Sequence, residues 1–178
     1  MLRRNIVDAS LSQEPAIGPW LWALQDARQR TLEELEGLAP AMVDWLPPDN
    51  ASTIGTVLYH LADIEADWLY VEVLEQSLPA ELAALFTYPT RDAQGRLTQV
   101  LGFALADHLQ RLEVVRDHLL AVFQPMTLAE FRRVRSFPHY DVTPEWVLHH
   151  LLQHEAEHRS QIGALRASAA RQLPPAQG

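Results

Sequence analysis

The chain has no cysteine. Disulfides, thiolate ligands and a cysteine nucleophile are therefore excluded: any metal must be held by histidine and carboxylate, and any thiol chemistry needs a thiol brought in from outside. Glycine is scarce, at 7 of 178 residues, strand-type alternation is nearly absent, and there is neither an internal repeat nor a low-complexity segment. No apolar run reaches the roughly 18 residues that a membrane span requires, so no membrane partner is expected. Basic residues are outnumbered, 14 against 23 acidic for a net charge of −9, and none cluster into a block, which argues against the phosphate-neutralising surface of a nucleic-acid binder. The stretch MLRRNIVDAS has two arginines without an apolar segment behind them, so the expectation is no secretory signal and a cytoplasmic protein.

What is present is a 48% hydrophobic chain of a length that suits one domain with a sizeable core. We expect a single domain over residues 1–178, its core spanning about 17–170, with a short flexible N-terminal arm and C-terminal tail. Four long helical patterns stand between proline-marked connections. The first runs from about Pro19 to Leu38, with Leu21, Leu24, Leu32 and Leu35 at helical spacing, and ends before the breaker AP and the turn LPPDN. The second starts with Ser52 as N-cap and continues through TIGTVLYHLADIEADWLYVEVL. A loop around Thr87 to Gly95 leads to a third helix from about Leu97 to Phe123. An irregular stretch, roughly Gln124 to Val142, holds Pro125, Pro138 and His139. The fourth helix has Thr143 as N-cap, Pro144 at its first position and Glu145 in its first turn, and runs to about Ala170. This pattern predicts an all-α four-helix bundle, an architecture that places metal sites between facing helices.

The fourth helix contains HEAEH, residues 154 to 158, with the spacing of the zinc-protease motif H-E-x-x-H. Such proteases take a third ligand from downstream, yet the twenty residues after His158 hold no His, Asp or Glu, and Gln161 stands where the metzincin extension has Gly. A third ligand must come from upstream. At about 100° per residue, His154 and His158 fall in the middle of the apolar stripe drawn by Val147, Leu151, Ile162 and Leu165, while His60 lies at the edge of the stripe of the second helix. Two inward imidazoles one turn apart need partners, through hydrogen bonds or a shared metal. Glu155 and Glu157 flank the stripe; either can orient a ligand or act as a base, against the plainer reading of a solvated flank. Gln161 leans inward and is placed to hydrogen-bond a ligand ring or substrate. His150 lies one turn before His154, within reach of the site. His149 points away, His108 and His118 share no face, and His139 lies in the irregular stretch before the fourth helix.

The segments DWLPPDNASTIGTVLYHLADIEADWL and VTPEWVLHHLLQHEAEHRSQI together resemble the DinB-like superfamily, the damage-inducible metal-binding family that includes YfiT-like metal-dependent hydrolases and bacterial thiol S-transferases. The resemblance spans about Asp44 to Ile162 and rests on one His in the second helix and an H-x-x-x-H-R-G-Q pattern in the fourth, with Ser160 here in place of its Gly. It implies a bundle with His60, His154 and His158 as metal ligands between the second and fourth helices. It also implies a divalent ion, for which Zn, Ni, Fe and Mn all suit imidazole, and a homodimer. The implied activity is a metal-dependent thiol S-transferase that joins a low-molecular-weight thiol to an electrophilic substrate, with Glu155 and Gln161 as candidate catalytic residues. The alternatives are a metal-dependent hydrolase and a non-catalytic metal-binding bundle.

Overall fold

The computed structural model describes residues 6–48 and 52–173. Asp49 and Asn50 of the expected LPPDN turn lie outside the described residues, as do the first five residues of the arm and the last five of the tail. The protein is mostly helical, with four long elements, α1 (Gly18–Leu35), α3 (Ile54–Asp67), α5 (Leu105–Phe123) and α7 (Pro144–Gln172). Short helices α2 (Pro40–Val43), α4 (Ala80–Ala83) and α6 (Leu128–Phe131) lie in the connections, and α3 continues without a break into a π-helical segment, Trp68–Val73. Among the described residues the strand content is one antiparallel pair, β1 (Arg135–Ser136) and β2 (Asp141–Val142), with Arg135 opposite Val142.

Local chemistry sets the helix ends. Thr143 caps α7 by accepting from the Trp146 N–H at 3.2 Å, with Pro144 in the first turn, as expected. α3 begins one residue later than expected, because Thr53, in extended conformation, accepts from Thr56 N at 3.0 Å and takes the cap in place of the buried Ser52. α1 stops at Leu35, since Glu36 leaves helical geometry and Gly37 turns left-handed at φ 68°. At its other end Gly18 admits the incoming chain: a Cβ there would stand 1.9 Å from the Ala9 carbonyl oxygen. The third helix starts at Leu105 and not near Leu97. Residues before it run extended, Leu97 bridging to Arg91 and Val100 N donating to Thr56 Oγ1 at 3.0 Å, and Gly102 turns left-handed before Asp107 caps Ala104 N.

α1 packs along α7, α5 along α3, and α3 against α7. One contiguous core joins Leu21 and Leu24 of α1, Val57, Leu58 and Leu61 of α3, Leu112, Val115 and Leu119 of α5, and Val147, Leu151, Ile162 and Leu165 of α7. Each such side chain contributes about 1.5–3 kcal/mol by leaving water.

Inside this apolar core sits a closed set of four charges, one from each long helix. Arg28 of α1 donates to Glu155 of α7 (Nε to Oε1, 2.7 Å) and to Glu65 of α3 (2.8 Å). Arg116 of α5 donates to both Glu65 oxygens, at 2.6 and 2.9 Å, and to Glu155 at 3.1 Å. Their remaining reach goes to helix backbone, Arg28 to the Leu112 carbonyl and Arg116 to that of Leu24. None of the four is more than 8% exposed. Burial pushes the Glu65 carboxyl up, but Arg116 and Arg28 outweigh it and hold the group below the usual carboxylate value. Glu155 is therefore not on the solvated flank that helical geometry alone suggested. It is 2% exposed and fully engaged.

Removing one member of this set leaves an uncompensated buried charge. Glu155→Gln is expected to lower unfolding free energy by about 3–5 kcal/mol, read by urea denaturation. Asp26→Asn, which breaks the exposed Asp26–Arg30 pair, is expected to change it by less than about 1 kcal/mol.

Candidate metal centre

α3 and α7 bring three histidines together where their sides meet. His60 is 7% exposed on α3, and His154 and His158, one turn apart on α7, are half-buried. One ligand-capable atom from each lies within 4.8 Å of the other two. His60 Nε2 and His154 Nε2 are 3.1 Å apart. Two nitrogens bound to one ion at about 2.0–2.1 Å each are separated by about 3 Å, so this pair already stands at the edge length of a coordination polyhedron. Ring centroids are 4.4 to 5.0 Å apart, with the planes steeply inclined, so the imidazoles converge on a point and do not stack.

Tautomer and charge suit a ligand set. His158 Nδ1 donates to Gln161 Oε1 at 2.9 Å, an amide oxygen that only accepts, which leaves the Nε2 lone pair of His158 free. Burial, then the neighbouring His158 and Arg91, push His60 down to about 4. Burial, then His158, His60 and His150, push His154 down to about 3 against the opposing pull of Glu65. Both are neutral near pH 7, as metal ligands must be. His60 Nδ1 is buried with no hydrogen-bond partner among the described residues, the need of an ordered water, while its Nε2 faces His154. The donor set thus fits a divalent ion bound through imidazole.

Other expected residues take varied places. Gln161 reaches the cluster through His158. Glu155 reaches Arg28 and Arg116 instead, and Glu157 is exposed. His150 stacks on Trp146 (5.2 Å, 6° between planes) and lies 5.9 Å from His154. His149, expected to be exposed, is half-buried with its ring edge-on to Trp20 at 6.2 Å. His108 is fully buried over Gly55, where a Cβ would lie 2.9 Å from its Nε2. His118 Nδ1 pairs with the Tyr70 hydroxyl at 2.7 Å, and His139 is exposed between β1 and β2. Sequence reasoning missed the aromatic group beside the cluster, Trp68, Trp146 and Tyr140. The signal was available: Trp68 lies eight residues after His60 and Trp146 eight before His154, the mirrored spacing of two antiparallel helices that share one seam.

Residues 23–162 match the sequence profile of the DinB superfamily, and the chain belongs to that superfamily. No curated protein matches it. Among the described residues no helix is long and apolar enough to cross a membrane.

The depressed histidines make stability depend on pH with a definite sign. The unfolded chain takes up protons near 6.5, whereas folded His60 and His108 do so at about 4 and His154 at about 3. The unfolded state thus binds more protons between these limits, and stability is lost as pH falls through that window. Melting temperatures of chelator-treated protein are expected to drop steadily from pH 7 to pH 4, and His108→Gln is expected to flatten part of that drop.

Proposed function

We propose that the protein is a metal-dependent enzyme whose ion is held by His60, His154 and His158, with thiol S-transfer as its activity. The observation that carries this reading is the convergence of three imidazoles from two helices within 4.8 Å. In this reading α1, α3 with its π-helical extension, α5 and α7 form a four-helix bundle within one domain, and the site lies between α3 and α7. Three protein ligands of one kind leave coordination positions open, as catalytic sites do and closed structural sites do not. The partial exposure of His154 and His158 supports access to those positions.

A divalent ion bound there supplies a lowered pKa for an incoming thiol and a fixed place for the resulting anion. The chain's own groups have simpler tasks. Gln161 fixes the ring of His158 in the tautomer that presents Nε2. His60, buried on α3, sets how far the site lies beneath the surface. Glu155 is not the base of a peptidase in this reading, because Arg28 and Arg116 engage both its oxygens. The absence of cysteine is consistent with a nucleophile that arrives as a separate small thiol. Self-association into a homodimer belongs to the same proposal.

Metal analysis of purified protein is the first test, followed by transfer assays with bacillithiol, mycothiol, glutathione and coenzyme A against a panel of electrophiles. Alanine at His60, His154 or His158 is expected to lower bound metal at least about tenfold, and Gln161→Ala to weaken metal affinity by about 10–100-fold. Full occupancy in His60→Ala overturns the ligand set. Metal without transfer of any thiol overturns the activity and leaves a binding protein. Sedimentation at micromolar concentration is expected to give a dimer, and a monomer counts against that part of the proposal.

A further inference from the structure

Beyond the histidines, the α3–α7 seam continues into a group of side chains that the proposed transfer does not use. Trp68, at the head of the π-helical segment, has its ring 4.6 Å from His150, 5.4 Å from Trp146 and 6.3 Å from Tyr140. Trp146 and Tyr140 are 47% and 45% exposed, so this aromatic surface faces water as well as its own members. Beside it, Glu72 is 5% exposed. Its Oε1 accepts from the Tyr140 hydroxyl at 2.8 Å, while Oε2 is buried without a partner among the described residues. Asp67 stands close enough that its charge acts on both Glu72 and Tyr140.

A buried carboxylate is normally paired with a cation or fully hydrogen-bonded. Here it is neither. The sequence contains no lysine, and the arginines just before Tyr140 are committed elsewhere: Arg132 to Glu145, Arg133 to Glu75 and Glu130, Arg135 to Glu130. Among the described residues, no salt bridge involves Glu72, Asp67 or Asp63. Burial, and then Asp67, push the Glu72 carboxyl up, and burial followed by Asp63 does the same to Asp67. The protein thus sets acidic side chains that lack a cationic partner beside aromatic rings, whose faces are themselves negative, and a cation bound there favours their charged forms. Hard divalent cations prefer about six to eight oxygen ligands, more than this surface offers. A weakly hydrated organic cation gains from both components, through the carboxylates and through cation–π contact.

We infer that this surface, formed by the rings of Trp68, Tyr140 and Trp146 with the carboxyl of Glu72 buried beside them and Asp67 exposed nearby, binds a substituted ammonium group. The rings of Trp68, His150 and His154 form a continuous series, at 4.6 and 5.9 Å, so a ligand anchored there by its cationic end extends toward the histidine cluster. The electrophile of the proposed reaction is accordingly a molecule that carries such a group. This last step rests on the metal-enzyme reading; binding at the aromatic surface does not.

The test is a titration of the full chain with choline and with its uncharged isostere 3,3-dimethylbutan-1-ol, followed through tryptophan fluorescence and indole N–H shifts. Metal-loaded, chelator-treated and His60→Ala proteins are run in parallel. Choline is expected to bind saturably in all three, at least about tenfold more tightly than the isostere. Glu72→Gln, which replaces a buried carboxyl without a cationic partner and so should fold at least as well as the parent, is expected to weaken choline about tenfold and leave the isostere unchanged. Asp67→Asn, at an exposed position, is expected to weaken choline about threefold. Equal binding of the two ligands, no binding, or choline affinity unmoved by Glu72→Gln overturns the inference. So does a crystal structure grown with choline that shows only an ordered water at Glu72 Oε2. Because binding is read without metal, its failure is separate from any failure of the metal site.

Discussion

The arrangement on which the rest of the structure depends is the buried ring of Arg28, Glu65, Arg116 and Glu155. Each charge comes from a different long helix, and each is neutralised only by neighbours on other helices. Hydrophobic burial alone tolerates many ways of packing four amphipathic helices, since leucines are interchangeable within a stripe. A ring of alternating arginine and glutamate has far fewer solutions: a slip of one helix by a turn leaves two like charges facing each other in a low-dielectric interior. The backbone contacts of the arginines tighten this further, because Arg28 is tied to the Leu112 carbonyl and Arg116 to that of Leu24. Each of α1 and α5 therefore holds a fixed axial position against the other.

That constraint reaches the histidines through the chain itself. Glu155 is the residue after His154, and Glu65 lies five residues beyond His60. Fixing the two glutamates fixes the rotation and height of α3 and α7 where the imidazoles face each other, and the charge of Glu65 is felt at His154. A site that needs nitrogens placed to a fraction of an ångström gains from a scaffold whose helices do not slide. The ion ring also separates two environments. On one side lies the histidine cluster. On the other a cleft of about 390 Å³ opens between α1 and α5, lined in part by Leu32, Leu112 and the same two arginines.

Local signals in the sequence were read well where the structure is itself local. Thr143, Pro144 and Glu145 mark the start of α7, and the stripe through Val147, Leu151 and Ile162 turns His154 and His158 inward. The third histidine was assigned from family resemblance, because a single imidazole at the edge of a stripe has no distinctive pattern. Errors arose where distant contacts override local preference. Residues before Leu105 read as helical until Val100 is seen to donate to Thr56 and Leu97 to bridge to Arg91. Glu155 reads as surface on a helical wheel, since its partners stand 39 and 127 residues away. A charged residue at the edge of an apolar stripe is ambiguous until its counter-ion is known.

The π-helical segment after Asp67 has a consequence for how the two halves of this seam relate. Leu74 N bonds to the Leu69 carbonyl five residues back, so the segment carries more chain per turn than the helix before it. Everything downstream is out of phase with the stripe that orients His60 and Glu65. The histidine end and the aromatic end therefore answer to different periodicities, and substitutions in one do not propagate as rotations of the other. Within one continuous rod, the chain thus has two ends of different phase: one that turns His60 toward His154 and His158, and one that sets an aromatic surface beside them.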